Sequence, residues 1–331
     1  MRASLLAVTI EALIKLRRTL LIEGPPGMGK TQLCQSVARK MGRALIQVHG
    51  PSLKPEDWAV PWPTAANDRF GFKINEIWPV EGSDHPDTGI ILIDEAPQAD
   101  NDIQKCMANL IQEREIYGHK LKPGWSIVMT GNRQSDRAGA NRILSHLRHR
   151  VTTLQFDPHL DDWCNWALGN GVKPEVVSFI RFRPEMQNNF DPAHEISPTG
   201  RGWVEGVSPL IGAVPAEAEL ECFEGAVGKG PAAEFVTYLR IFRDLPDVDL
   251  VLQQADTYPV PTEMSVLYAL TGALGHRAGH DNIDRVMAFV RRCPPEFGMM
   301  TWQDIANKDA TLQTTKPMLD WLRDNAKNMV A

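Results

Sequence analysis

The run Gly24-Pro25-Pro26-Gly27-Met28-Gly29-Lys30-Thr31 constrains this chain more than any other stretch. It has the spacing G-x-x-x-x-G-K-T, follows an apolar run from Thr19 to Glu23, and precedes a segment of helical periodicity from Thr31 to Lys40. A strand, a glycine-rich turn and a helix in that order leave backbone N–H groups free at the turn and at the helix N-terminus, where they can cradle phosphate. Lys30 is placed to reach β- and γ-phosphates, and Thr31 to offer a hydroxyl to Mg²⁺. The expected nucleotide-binding residues are therefore Gly24, Pro25, Pro26, Gly27, Met28, Gly29, Lys30, Thr31 and Gln32, with ATP and Mg²⁺ as the ligands. The phosphates are read by this motif and the base is not.

A phosphate loop between strand and helix implies a parallel sheet covered on both faces. Further short apolar runs, at Ala44 to Val48, Ile90 to Ile93, Ser126 to Met129 and Thr152 to Phe156, supply its other strands, and Asp102 to Arg114 reads as a second covering helix. Residues 3 to 16 place apolar side chains at helical spacings and suggest a helix leading into the domain. After Phe156 the pattern changes. Asp161 to Leu168, Pro174 to Phe182, Ala232 to Phe242 and Met264 to Leu274 look helical, and prolines such as Pro184, Pro192, Pro198, Pro246, Pro259 and Pro261 punctuate the joins. The expected architecture is an α/β P-loop fold over residues 1–156, with a parallel sheet sandwiched by helices. A helical lid with a C-terminal helical extension follows over 157–331.

The run Ile90-Ile91-Leu92-Ile93 ends in Asp94-Glu95, two carboxylates at the C-terminal tip of a buried strand, the edge where ligands bind in parallel sheets. Asp94 would hold Mg²⁺, and Glu95 would polarise the attacking water, since phosphoryl transfer needs an in-line nucleophile and little covalent help. The strand Ser126-Ile127-Val128-Met129 ends in Thr130-Gly131-Asn132, and Asn132 would help orient that water.

Composition narrows the rest. At 43% apolar and 23% charged residues the chain of 331 resembles ordinary soluble domains, and no apolar run approaches the roughly 18 residues of a membrane span. The N-terminal apolar stretch, with Arg2, meets Glu11 and Lys15 without a cleavage pattern, so a cytoplasmic protein is expected. The five cysteines are scattered and read as reduced thiols, and His276 and His280 read as a surface or core pair. A net charge of −6 argues against a broad nucleic-acid surface, though Arg142, Arg148 and Arg150 form a local basic strip.

Together these features resemble the AAA+ superfamily and, within it, the MoxR-type ATPases. There, Asp94-Glu95 is followed by a helix like Ala108 to Gln112 and by a Glu113-Arg114-Glu115 segment entering a hairpin. The resemblance implies a trans-acting arginine before the last core strand, at Arg150, with Arg148 as the fallback. It also implies a sensor arginine at Arg201 in Thr199-Gly200-Arg201-Gly202-Trp203, where Gly200 stands in place of the usual proline; packing of Arg201 on Trp203 is the alternative. Leu53 to Pro61 is similar to a loop facing the substrate side, making Trp58 either a substrate contact or a core anchor. Segments such as Asp161-Asp162-Trp163 and Pro295-Glu296-Phe297 resemble a phage and bacterial, dynein-related branch. By resemblance alone, a homo-oligomeric ring, commonly hexameric, and a partner bearing a von Willebrand factor A domain are implied. Remodelling of a protein partner is the leading expectation. A nucleic-acid motor or loader and a nucleotide-gated scaffold are the alternatives, because fold does not decide function.

Overall fold

Apolar runs of four or five residues are too short to bury a helix face, and where both sides are covered they settle as strands. In the computed structural model, which describes residues 1–64, 69–133, 143–191 and 193–325, the chain divides into two units, Met1–Pro158 and His159–Ala331. The first unit runs α1 (Ala3–Lys15), β1 (Leu20–Glu23), α2 (Lys30–Lys40), β2 (Ala44–His49), β3 (Ala59–Pro63), β4 (Phe70–Ile74), β5 (Thr88–Asp94), α3 (Asn101–Glu113), β6 (Glu115–Ile116), β7 (His119–Lys120), β8 (Gly124–Gly131), α4 (Ser145–Arg148) and β9 (Thr152–Gln155). Five strands form one parallel sheet in the order β2-β5-β8-β1-β9. The expected parallel sheet flanked by helices, followed by a helical region, is the fold observed.

Alternation along the strands divides the core. Leu21, Ile91, Ile93, Ile127 and Met129 point to the side where α3 lays Ile103, Met107 and Leu110. Leu20, Ile22, Ile90, Leu92 and Val128 point to the other, against Leu6, Ile10 and Ile14 of α1 and Cys34 and Val37 of α2. Two antiparallel ribbons, β3-β4 and β6-β7, stand outside this sheet. They meet where Tyr117 stacks on Phe72 at 4.3 Å between ring centroids.

The second unit comprises α5 (Leu160–Gly169), α6 (Pro174–Phe182), α7 (Glu219–Val227), α8 (Lys229–Arg243), α9 (Val248–Gln253), α10 (Met264–Arg277), α11 (Ile283–Val290), α12 (Pro295–Lys308) and α13 (Lys316–Asn325). Phe179, Trp203, Phe223 and Phe235 centre one of its cores; Leu270, Phe289, Phe297 and Trp321 belong to the other. Arg181 and Asp304 join α6 to α12 through a buried bidentate pair with both contacts at 2.5 Å. Burial lowers the affinity of Arg181 for its proton and Asp304 raises it more, so the guanidinium stays charged. No helix among the described residues is long and apolar enough to cross a membrane.

Gly89 and Trp125 show how tightly the first unit is packed. A Cβ on Gly89 would lie 2.5–2.6 Å from three indole atoms of Trp125, whereas one on Gly71 of β4 would meet nothing within 4 Å. Gly89→Ala should therefore lower stability by about 1–3 kcal/mol through overpacking. Gly71→Ala should leave it within about 0.5 kcal/mol. Urea unfolding followed by tryptophan fluorescence checks both, and equal midpoints for the two variants would contradict the packing argument.

Candidate functional site

β1 delivers the chain to the sheet edge at Glu23, and the next six residues turn back into α2. Gly27 and Gly29 have φ of 70° and 83°, a left-handed conformation that favours glycine. Gly24 is small for a different reason, because a Cβ there would fall 2.8 Å from the Phe156 carbonyl oxygen. Gly29 caps α2 without a side chain to bond the first N–H groups of the helix. Lys30 is buried, and its Nζ donates to the carbonyls of Gly24 (2.9 Å) and Pro25 (2.8 Å) and to Asn132 Oδ1 (3.0 Å). Met28 packs against the core shared by α1 and α2, and Gln32 is exposed on the first turn of α2.

The parallel ladder brings the remaining groups to the same edge. Ile93 of β5 is level with Met129 of β8, so Asp94 and Thr130 lie side by side one step further on. Asp94 accepts from two threonines, with Oδ2 taking the Thr31 hydroxyl at 2.9 Å and Oδ1 taking the Thr130 hydroxyl. A hydroxyl beside a carboxylate is a hard-oxygen donor set. It suits Mg²⁺, which is bound through one or two protein oxygens with phosphates and water completing its shell. Among the described residues no group of three His, Cys, Asp or Glu forms a separate metal site. Burial, with Asp94 adding to it, pushes the Cys34 thiol of α2 up to about 12, so a reactive thiolate is absent from the floor of the site.

Glu95 follows with φ 54° and ψ 37°, a left-handed conformation costing a non-glycine residue about 1–2 kcal/mol. Contacts on three sides hold it. Its N–H donates to Thr130 Oγ1 at 3.2 Å, its carbonyl accepts from Gln98 N at 2.9 Å, and Gly50 approaches so closely that a Cβ there would lie 3.1 Å from Glu95 O. The carboxylate leans toward β2, where Oε2 lies 3.1 Å from His49 Nε2, while His49 Nδ1 lies 3.0 Å from Ser52 Oγ. His49 and Thr130 were not singled out from the sequence. A strand-end histidine and a buried strand threonine carry no local signal, and only the strand register brings them to Asp94 and Glu95.

The arginines separate clearly. Arg148 donates to the buried Glu23 carboxylate at 2.5 Å, and Gln155 donates to the other Glu23 oxygen at 2.8 Å. The charge of Arg148 thus offsets a carboxylate of its own chain. Arg150 is exposed, and its guanidinium donates to Gln112 Oε1 and to the His146 carbonyl, with no carboxylate partner among the described residues. Arg142 lies outside the described residues. In the second unit Arg201 is exposed, 4.0 Å from Glu205, and it does not stack on Trp203, whose Nε1 donates to Met186 O at 2.6 Å. The glycine after it is a packing residue, since a Cβ on Gly202 would meet the Ala226 carbonyl at 2.6 Å.

Of the two readings of Trp58, the core anchor fits its burial and the substrate contact does not. Trp58 is 1% exposed and stacked on Trp78 at 4.6 Å between centroids, so it anchors its loop in the core and offers no surface to a substrate. The exposed indole of this region is Trp62, 51% accessible on β3, with Lys73 Nζ 3.8 Å above its ring.

Residues 20–154 match the family model described as ATPase family associated with various cellular activities (AAA). A 60-residue stretch is 43% identical to the ATPase family gene 2 protein homolog B of Bos taurus, covering 18% of this chain and 7% of that protein. Solved structures with a similar outline include a protein of Cytophaga hutchinsonii whose assignment as an ATPase is itself provisional (13% identity, 97% of this chain and 88% of that one, TM-score 0.37). NtrX from Brucella abortus in complex with ADP is another (17%, 71% and 65%, TM-score 0.36), as is a RuvB variant from Thermotoga maritima (16%, 86% and 79%, TM-score 0.35). Similarity at that level does not extend to function. The matched residues lie within the first unit, whose parallel sheet flanked by helices is the AAA P-loop NTPase fold.

The two arginines give a stability test. Arg148→Ala leaves the buried Glu23 carboxylate without its cation, held by the neutral Gln155 amide, and should cost about 1–3 kcal/mol. Arg150→Ala removes only exposed contacts and should stay within about 0.5 kcal/mol. Thermal denaturation checks this, and an indifferent Arg148→Ala variant would show that Glu23 does not need its partner.

Proposed function

We propose that the protein is a MoxR-type AAA+ ATPase that hydrolyses ATP in an oligomeric, hexameric ring and uses turnover to remodel a protein partner or complex. The observation that carries the ATPase part is the convergence of Lys30, Thr31, Asp94, Glu95 and Asn132 on the C-terminal ends of β1, β5 and β8. Lys30 and the N–H groups of the Gly24–Gly29 turn bind the phosphates, and Thr31 and Asp94 hold Mg²⁺. Bound there, the ion neutralises charge on the β- and γ-phosphates. Glu95 accepts a proton from the attacking water, and Asn132 orients that water from the neighbouring strand. Arg150, an exposed guanidinium with no carboxylate partner among the described residues, completes the neighbouring subunit's site, while Arg201 acts as the lid's sensor.

The protein-remodelling part draws on the β3-β4 ribbon. Alternation puts Pro61, Pro63, Phe70 and Phe72 on one face and Val60 and Trp62 on the other, and Phe70 is 76% exposed. A ribbon with exposed aromatics on both faces, in a chain of net charge −6, suits a polypeptide better than a polyanion. The von Willebrand factor A partner follows from the family resemblance, and with a cytoplasmic location it completes the proposal.

Complementation tests the assembly. Lys30→Ala should lose nucleotide binding, and Arg150→Ala should bind ATP normally yet hydrolyse it slowly; trans-acting arginines are worth roughly 10³ to 10⁵ in the best-studied hydrolases, with smaller effects expected in rings. Mixing the two variants restores part of the activity, because an intact Lys30 site can then face an intact Arg150. Subunit exchange without recovered activity removes Arg150 as the trans-acting group.

A further inference from the structure

Thr130 is fully buried at the end of β8, between β5 and β1, and no phosphate-loop or carboxylate motif includes it. Its single hydroxyl proton goes to Asp94 Oδ1, and its lone pair accepts the Glu95 N–H at 3.2 Å. One oxygen atom therefore touches both the carboxylate on the metal side of the site and the backbone of the carboxylate that faces water. The second contact matters because Glu95 is held at φ 54°, a conformation its side chain does not favour. Gly131, the next residue, keeps the turn in place from the other side, since a Cβ there would overlap Pro97 at 2.6–2.7 Å.

We propose that Thr130 is a positioning residue for hydrolysis, fixing the direction of Glu95 by tying its backbone to Asp94. The proposal rests on the ATPase reading of the site. Asp94 Oδ2 is bonded by Thr31 at 2.9 Å, so with the Thr31 hydroxyl turned to a metal ion, Thr130 would be the side-chain donor among the described residues that still orients Asp94. Without the hydroxyl, Asp94 Oδ1 and the Glu95 N–H both lose a partner and the turn at Glu95 is free to relax to a commoner backbone conformation. Binding of phosphate by Lys30 and the glycine turn does not pass through Thr130. Loss of the hydroxyl should therefore slow the chemical step and spare affinity.

The experiment compares wild type, Thr130→Val and Thr130→Ser for ATP turnover, for equilibrium ATP binding with and without Mg²⁺, and for amide hydrogen exchange without nucleotide. The valine variant should lose about ten-fold or more in kcat while its Kd for ATP stays within about two-fold. Exchange should quicken at residues 94–98 and nowhere else, and serine should restore all three. Turnover of Thr130→Val within about two-fold of wild type overturns the proposal, as does a loss of ATP binding equal to the loss of rate. Should the valine variant fail to fold, Thr130→Cys, which keeps the shape and donates weakly, takes its place with the same two overturning results. A wild-type protein that binds ATP and never hydrolyses it removes the ATPase reading and this proposal together. Hydrolysis that Glu95→Gln silences and Thr130→Val leaves intact removes only the role of Thr130.

Discussion

The register of three buried parallel strands is the constraint on which the site depends. With Ile93 level with Met129, and Leu21 level with Met129 from the other side, the strands expose their last residues together at one edge. A slip of one residue would turn every apolar side chain of a strand to the opposite face, so the two cores fix the register far more firmly than the polar groups at the tips could. Asp94, Thr130 and Thr31 meet because Ile91, Ile93, Ile127 and Leu21 are satisfied elsewhere. A binding or catalytic constellation needs placement within about 0.5 Å, which packed strands supply better than a loop does.

The same constraint explains what could be read from the sequence. A strand covered on both faces is continuously apolar, and its polar tip marks the ligand edge, so the parallel sheet and the placing of Lys30, Thr31, Asp94, Glu95 and Asn132 beside its C-terminal edge were legible. The β3-β4 ribbon was not, because a ribbon exposed on both faces has no buried side to impose alternation, and Pro61 and Pro63 look like loop residues. For the same reason Trp58 and Trp62, four residues apart, could not be told apart until the core was known. His49 meets Glu95 across 46 residues of sequence, and Arg148 meets Glu23 across 125. Neither pairing has a local signature. In the helical unit, α6 was read from its apolar periodicity, whereas α7, α9, α11, α12 and α13 were not singled out.

The helical unit solves a different problem from the sheet. Arg181 and Asp304 place two full charges in an apolar surround, a choice that contributes little net stability compared with a matched apolar pair. What such a pair does provide is selectivity. A slide of α6 along α12 would break both bonds of the pair and strand its charges. Cys164 lies close enough to feel both, and burial pushes its thiol up to about 11, so it acts as an apolar filler beside the pair.

The two prolines of β3 carry a colloidal consequence. Thr64 N–H donates inward to Arg69 O, so by the alternation of the ladder the nitrogens of Pro61 and Pro63 face outward. The outer edge of β3 thus lacks donors at two successive places where a stray strand would dock. A protruding aromatic ribbon is ordinarily the kind of surface that seeds fibrils, and blunting its edge with imino acids is one way in which natural sheets avoid that end. The chain can therefore present Trp62, Phe70 and Phe72 to water at high concentration without the ribbon recruiting copies of itself edge to edge through β3.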